Sequence, residues 1–110
     1  MAADLELVQG TLDTLVLKSL SWGPRHGYSV ARWIRDTTRE ELEVEEGALY
    51  TALHRMQKRG WLQAEWGLSD NNRKAKYYSL TAAGQRELRR NADTWQRYSR
   101  AVSRVLEATA

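Results

Sequence analysis

A polar, turn-rich segment near residue 70 separates two short stretches in which apolar and polar residues alternate. The stretches cover residues 61–66 and 76–80, and residues 67–74 between them contain Gly, Ser, Asp and two Asn. Alternation with a period of two is typical of β-strands, and a segment rich in these small polar residues is typical of a turn. We therefore predict a β-hairpin with Arg73 and Lys74 at its tip.

Three helical patterns precede the hairpin. Leucine and valine recur at helical spacing over residues 11–21, until the proline of Gly23-Pro24 prevents the helix from continuing. A second helix is expected to begin at Gly27. A third covers residues 46–59, and Gly60 follows it where a left-handed residue commonly ends a helix.

Two further elements complete the order. Leu42 and Val44 alternate with a glutamate and suggest a very short strand, and Thr81 is a good N-cap for a last helix that reaches about Glu107. Helix, helix, short strand, helix, hairpin, helix is the order of a winged helix-turn-helix, a mainly helical α+β fold. Residues 67–74 would be the wing.

Length and composition are those of one globular domain. The chain has 110 residues, of which 42% are hydrophobic and 28% charged, so it can bury a core and is not disordered. It contains no cysteine, which excludes disulfides and thiolate metal sites, and no cofactor or metal ion is expected. The longest apolar stretch, residues 12–20, is too short and too often interrupted to cross a membrane, so we expect a cytoplasmic protein.

The charges are unevenly distributed although the net charge is only +3. Residues 36–46 hold six acidic residues and one basic residue, whereas residues 51–76 hold six basic residues and two acidic ones. A basic zone of this kind suits a polyanion such as nucleic acid. The alternative is an ordinary solvated surface, and charge alone does not decide between the two.

The third helix combines an apolar face with a polar one. At about 100° per residue, Leu49, Ala52, Leu53 and Met56 cluster on the side expected to face the core. The candidate DNA-contacting residues of the other side are Tyr50, Thr51, His54, Arg55 and Lys58. The hairpin tip adds Asn72, Arg73 and Lys74. A helix that enters the major groove needs such donors on its outer face, and a hairpin tip can reach phosphates, so we predict a double-stranded DNA partner.

The last helix carries an apolar stripe at heptad spacing. Its members are Leu88, Ala92, Trp95, Ser99, Val102 and Leu106. The stripe packs either on the chain's own core or against a second subunit. A helix of about 25 residues spans about 38 Å, which is more than a core of this size covers, and this favours a homodimer. We therefore divide the compact unit into a DNA-binding part, residues 1–80, and a dimerisation helix, residues 81–110.

The five tryptophans divide into three groups. Trp22, Trp61 and Trp66 are expected to pack in the core beneath the wing. Trp33 is expected beneath the last helix or at the surface. Trp95 lies midway along the apolar stripe, where it either packs in a dimer interface or forms part of a ligand site.

Several segments match a known family in order and spacing. They are Gly10-Thr11-Leu12, Trp22-Gly23-Pro24-Arg25-His26-Gly27-Tyr28, Gly47-Ala48-Leu49-Tyr50-Thr51-Ala52-Leu53-His54-Arg55, Arg59-Gly60-Trp61, Glu65-Trp66-Gly67, Arg73-Lys74-Ala75-Lys76-Tyr77-Tyr78-Ser79-Leu80-Thr81 and Ala83-Gly84. Through them the chain resembles the short PadR-like transcriptional regulators over essentially its whole length.

This resemblance implies a homodimeric bacterial repressor that binds an inverted-repeat operator, with one third helix per subunit in the major groove. It also implies dimer contacts from the first helix, and so from Leu12, as well as from the last. Some relatives bind phenolic acids or flat aromatic drugs between their subunits. A planar aromatic effector is therefore one expectation here, in a site formed by Leu88, Asn91, Ala92 and Trp95.

Three other functions fit the sequence less well. The chain has only two histidines, His26 and His54, and shows no carboxylate pair, activated nucleophile or phosphate-binding glycine loop, so we do not expect an enzyme. RNA binding would call for an exposed aromatic sheet, which the pattern does not indicate. A winged helix that binds only protein remains the main alternative, although basic residues on both the third helix and the wing argue against it.

Overall fold

The computed structural model describes residues 10–109, so residues 1–9 of the predicted DNA-binding part and residue 110 lie outside it. Its elements are α1 (Thr11–Ser19), β1 (Arg25–His26), α2 (Gly27–Thr37), α3 (Glu46–Lys58), β2 (Leu62–Leu68), β3 (Lys74–Leu80) and α4 (Ala82–Glu107). The fold is the predicted winged helix, an α+β arrangement with a long C-terminal helix. α1 ends two residues earlier than predicted.

The helices α1, α2 and α3 each turn one apolar face towards a common core. The residues with at most 2% of their surface exposed are Val16, Leu17, Leu20, Val30, Ile34, Leu49, Ala52, Leu53, Met56 and Leu62, together with Ser19. Burial of each large aliphatic side chain contributes about 1.5–3 kcal/mol. The hydroxyl of Ser19 donates to the carbonyl of Val16 at 2.7 Å, so its burial leaves no unpaired polar group.

The sheet has three antiparallel strands in the order β1-β3-β2. β2 and β3 form the predicted hairpin, with a register that runs from Leu62 opposite Leu80 to Leu68 opposite Lys74. The third strand is β1, in which Arg25 pairs with Tyr78. This pairing ties the start of α2 to the hairpin.

The predicted short strand at Leu42 and Val44 is wrong, since this segment is not a strand in the structure. The backbone N–H of Leu42 donates to the hydroxyl oxygen of Thr38 at 3.1 Å instead of to a neighbouring strand. Val44 is buried in the core. The alternating apolar residues therefore anchor an extended connection between α2 and α3.

Two tryptophans also lie elsewhere than expected. Trp22 is 63% exposed and Trp66 is 64% exposed, so neither packs in the core, whereas Trp61 is partly buried against it as predicted. Trp22 lies in the turn after α1, where its ring is 5.3 Å from that of Trp33. Trp66 lies on β2 beyond Ala64, where the hairpin has left the core.

The start of α4 is fixed to the end of α3. The Thr81 hydroxyl donates to the carbonyl of Gly60 at 2.6 Å and accepts from the backbone N–H of Gly84 at 3.0 Å, which confirms Thr81 as the N-cap. Gly60 has a φ of 81°, the left-handed conformation predicted for it. Gly84 packs directly on the backbone of Trp61, so the first turn of α4 lies against the body of the domain.

The rest of α4 runs past the body. Only Gly84 of its 26 residues is buried, and the described chain measures 58 × 35 × 22 Å. Its C-terminal half exposes Tyr98, Val102, Val105 and Leu106. An apolar face of this size on one helix has no partner within the described part of the chain.

Candidate nucleic-acid interface

The outer face of α3 gathers the side chains predicted to meet DNA. A shallow depression on the surface is lined by Tyr50, Thr51, His54, Arg55, Lys58 and Arg59. Thr51, His54 and Lys58 are exposed, while Leu49, Leu53 and Met56 hold the opposite face of the helix in the core. All five predicted α3 residues therefore share one surface. Sequence reasoning omitted Arg59, which follows Arg55 by one helical turn and could have been found by its spacing.

Tyr50 is held in place at the edge of this surface by Gly27. A Cβ atom at position 27 would lie 2.7 Å from the Tyr50 ring, so the absence of a side chain there allows the ring to lie over the start of α2. Burial raises the pKa of the Tyr50 hydroxyl, and the nearby charge of Glu46 raises this pKa further, as does Tyr78. The hydroxyl therefore stays protonated near neutral pH and can donate a hydrogen bond.

Arg55 has a partner within the chain. Its two terminal nitrogens lie 2.7 and 2.8 Å from the two carboxylate oxygens of Asp13 on α1. Hydrogen bonding to Asp13 raises the pKa of Arg55, and the negative charge of Asp13 acts in the same direction. No pattern in the sequence indicates this pair, because its members are 42 residues apart.

The wing tip is a tight, internally bonded turn. The backbone N–H of Ser69 donates to the carbonyl of Arg73 at 2.8 Å, and the N–H of Asn72 donates to the carbonyl of Ser69 at 2.9 Å. Asn72 has a φ of 65°, a conformation that asparagine tolerates better than most residues. Asn72, Arg73 and Lys74, the predicted wing contacts, are all exposed. Both strands extend two residues further towards the tip than predicted, so the loop spans only residues 69–73 and Lys74, predicted at the tip, lies on β3 opposite Leu68.

A groove of about 960 Å³ lies between α2 and the wing, and Tyr50 is the α3 residue among those that line it. Its lining combines basic, acidic and aromatic side chains: Arg25, Arg32, Lys74 and Lys76, Asp36 and Asp70, and Tyr28, Tyr50 and Trp66 among others. The Lys74 ammonium lies 4.9 Å from the centre of the Trp66 ring. Apart from Tyr50 and Lys74, sequence reasoning did not place these residues at the site, because they converge only through the pairing of β1 with β3.

The proposed effector residues are only partly brought together. Asn91 and Trp95 line a cavity of about 560 Å³ between α1 and α4, which Trp61 and Tyr98 also line. Leu88 instead packs against the core, and Ala92 is not among the lining residues.

The residues predicted to form the dimer interface differ in how far they are buried within their own chain. Leu12 and Leu88 are partly buried against the core of their own chain, and Ala92 and Ser99 are partly buried as well. Trp95, Val102 and Leu106 are exposed, with 78% of the surface of Leu106 open to solvent. The exposed part of the stripe is therefore its C-terminal part.

Other kinds of site have no counterpart in residues 10–109. No group of three or more His, Cys, Asp or Glu side chains is arranged there to hold a metal ion. Nor does this part of the chain contain a helix with the length and apolar character needed to cross a membrane.

Comparison with known proteins identifies the family. The transcriptional regulator PadR-like family matches residues 16–90. A transcriptional regulator from Clostridium thermocellum is 26% identical with a TM-score of 0.79, over 87% of this chain and 90% of that one. A PadR-like regulator from Bacillus cereus is 27% identical with a TM-score of 0.78, over 92% and 96% of the two chains.

A PadR family regulator from Eggerthella lenta is 31% identical with a TM-score of 0.77, over 92% of this chain and 86% of that one. Sequence and fold thus agree over most of the length of this chain, including α3, the wing and the first third of α4. The chain belongs to the PadR-like family of transcriptional regulators, which are DNA-binding proteins rather than enzymes.

Proposed function

We propose that this protein is a repressor that binds an inverted-repeat DNA operator as a homodimer. The observation that carries the proposal is the outer face of α3, which Tyr50 joins to the groove beside the wing, where Arg25, Arg32, Lys74 and Lys76 outnumber Asp36 and Asp70. Phosphate contacts supply most of the affinity of such proteins for DNA, and contacts to base edges supply the specificity. This surface offers residues suited to both tasks.

In this proposal α3 enters the major groove. Thr51 and His54 meet base edges, the Tyr50 hydroxyl donates to a phosphate or a base, and Lys58 contacts the backbone. Asn72, Arg73 and Lys74 of the wing reach the flanking phosphates or the minor groove. Arg55 shares this surface and is paired with Asp13.

Dimerisation is proposed to involve α4 of each subunit, with Leu12 of α1 at the margin. The exposed apolar residues of α4 would be covered by the same residues of a second copy, because a two-fold interface is self-complementary. The DNA-binding part, residues 1–80, would then occur twice. A two-fold protein matches a two-fold operator, which is the reason for proposing an inverted repeat.

An aromatic effector is proposed to bind near Trp95. The cavity between α1 and α4 offers the Trp95 ring for stacking and the Asn91 amide as a hydrogen-bond donor and acceptor. Leu88 and Ala92 lie one turn away and would join the site if the dimer brings a second α4 close. Such a ligand weakens operator binding only if it prefers a dimer shape that fits the operator poorly.

Titration with planar phenolic compounds should quench tryptophan fluorescence in the wild type and not in Trp95→Ala.

DNA binding itself is tested by titrating the full chain onto labelled random-sequence duplex DNA and onto single-stranded RNA of equal length. We expect duplex binding that weakens steeply as salt is raised from 50 to 200 mM. In the double variant Arg73→Ala/Lys74→Ala, the fall of log K with log salt should be shallower than in the wild type, by about two in the slope. The matched control, Arg97→Ala/Arg104→Ala, removes two exposed arginines of α4 and should leave the slope unchanged. A wild-type chain that binds no duplex DNA would instead favour a winged helix that binds protein.

A further inference from the structure

The ion pair between Asp13 and Arg55 joins α1 to the outer face of α3. Both carboxylate oxygens and both terminal guanidinium nitrogens take part, at 2.7 and 2.8 Å. The Arg55 side chain is 39% exposed and the Asp13 side chain 22% exposed, so the pair lies at the edge of the surface rather than in the core. A two-pronged contact of this geometry fixes the direction of the guanidinium plane.

The position of the pair gives it a consequence for DNA binding. Arg55 lines the same depression as Thr51, His54 and Lys58, which the proposed function directs at DNA. The ion pair directs the Arg55 guanidinium towards Asp13 on α1, and the negative charge of Asp13 offsets the positive charge of Arg55. An arginine held in this way contributes less to phosphate binding than an unpaired arginine at the same place, because its partner carboxylate repels the same phosphates.

We infer that Asp13 is a positioning residue that restrains Arg55 from binding the phosphate backbone, and so limits the affinity of the protein for DNA of any sequence. The inference rests on the proposed function, since it requires the α3 face to meet DNA. In this role Asp13 acts through Arg55 and not through a DNA contact of its own. Phosphate contacts carry no sequence information, so the restraint lowers the affinity for the operator and for other DNA alike.

The test is the salt dependence of binding to random-sequence duplex DNA. Asp13→Asn keeps the size of the side chain but removes its charge, so Arg55 is released and gains about one phosphate contact. The slope of log K against log salt should steepen by about 0.9, and affinity near 0.1 M salt should rise roughly fivefold to tenfold. The double variant Asp13→Asn/Arg55→Gln removes both charges and should return the slope to the wild-type value.

A purely structural role for the pair predicts a different result. Asp13→Asn would then lower the thermal midpoint while the slope stayed at the wild-type value, and this would overturn the inference. If Asp13→Asn does not fold, Arg55→Lys replaces it, because lysine keeps the charge but cannot make the two-pronged contact. This variant should also steepen the slope, and an unchanged slope would again overturn the inference.

A matched control separates this inference from the proposed function. Lys58→Gln removes a charge from the same face but leaves the ion pair intact. It should make the slope shallower by about 0.9. If the wild type binds duplex DNA and Lys58→Gln makes the slope shallower, but Asp13→Asn leaves it unchanged, only the role of Asp13 is wrong. Failure of the wild type to bind duplex DNA would contradict both.

Discussion

The ring of Tyr50 lies over Gly27, and a methyl group in place of the glycine hydrogen would come within 2.7 Å of three atoms of that ring. The contact crosses from α2 to α3 and reaches the edge of the proposed DNA surface. Gly27 has no positive φ, so its backbone conformation does not require a glycine. The close approach of the Tyr50 ring does. One small residue on α2 therefore sets the direction of one contact residue on α3.

Gly27→Ala is expected to weaken operator binding without unfolding the domain. The added methyl group displaces the Tyr50 ring, and the loss of one hydrogen bond of about 1 kcal/mol corresponds to roughly fivefold weaker binding. Alanine also favours the helix, so the thermal midpoint should not fall by much. Fluorescence anisotropy with operator DNA measures the affinity. In a Tyr50→Ala background the same change should have little further effect, and a full additional loss would show that Gly27 acts by another route.

At the scale of single residues, the sequence predicted which side chains lie on α3 and on the wing but not which of them have partners. Periodicity places Arg55 on the outer face, because the apolar residues of the same helix define the inner one. Periodicity does not show that Asp13 is the partner of Arg55, because these two distant segments meet only through the packing of α1 on α3. The exposure of Trp66 was not predicted either, because the sequence does not show which face of a sheet an aromatic residue on a strand will occupy.

At the scale of elements, the junction between the hairpin and α4 fixes the direction of the long helix. The Thr81 cap and the close contact of Gly84 with Trp61 hold the first turn of α4 against the body. The four helices and the hairpin each carry a local signal, a capping residue or a clear period, so their order was predictable. The pairing of β1 with β3 was not, because a two-residue strand has no period of its own.

Gly84→Ala should destabilise the domain. A Cβ atom at this position would overlap the backbone carbonyl of Trp61, which cannot move without shifting the hairpin. Overpacking of this kind typically costs about 1–3 kcal/mol in the free energy of unfolding. Urea unfolding followed by circular dichroism measures the change. Gln85→Ala, an exposed substitution in the same turn, should change the free energy of unfolding by less than about 0.5 kcal/mol; equal effects of the two variants would contradict the packing argument.

At the scale of the whole molecule, the exposed apolar residues of α4 call for a partner. Val105 is 76% exposed and Leu106 is 78% exposed at the far end of a helix about 39 Å long. The heptad stripe predicted Trp95, Val102 and Leu106 of this surface, but not Tyr98 and Val105, which are also exposed. The N-terminal part of the stripe packs on its own chain and the C-terminal part does not, so packing against a second subunit stays a prediction for the C-terminal part.

Val102→Glu/Leu106→Glu is expected to turn a dimer into a folded monomer. Burying an unpaired carboxylate costs several kcal/mol, so the dimer dissociation constant should rise by at least about 100-fold. Sedimentation at micromolar concentration measures the oligomeric state. Arg97→Gln/Arg104→Gln lowers the net charge by the same two units on the opposite face of α4 and should remain dimeric. A wild-type protein that is monomeric at this concentration would contradict the two-fold arrangement.

Selection of binding sites from a random duplex library tests the central claim, that two copies of the α3 surface bind one operator. The full-length protein is incubated with the library, and the bound DNA is recovered and sequenced over several rounds. We predict an enriched inverted repeat with half-sites about 10 base pairs apart from centre to centre, or a multiple of that spacing, as two recognition helices related by a two-fold axis require. Enrichment of a single unrepeated site, or no enrichment over the starting library, would contradict the account.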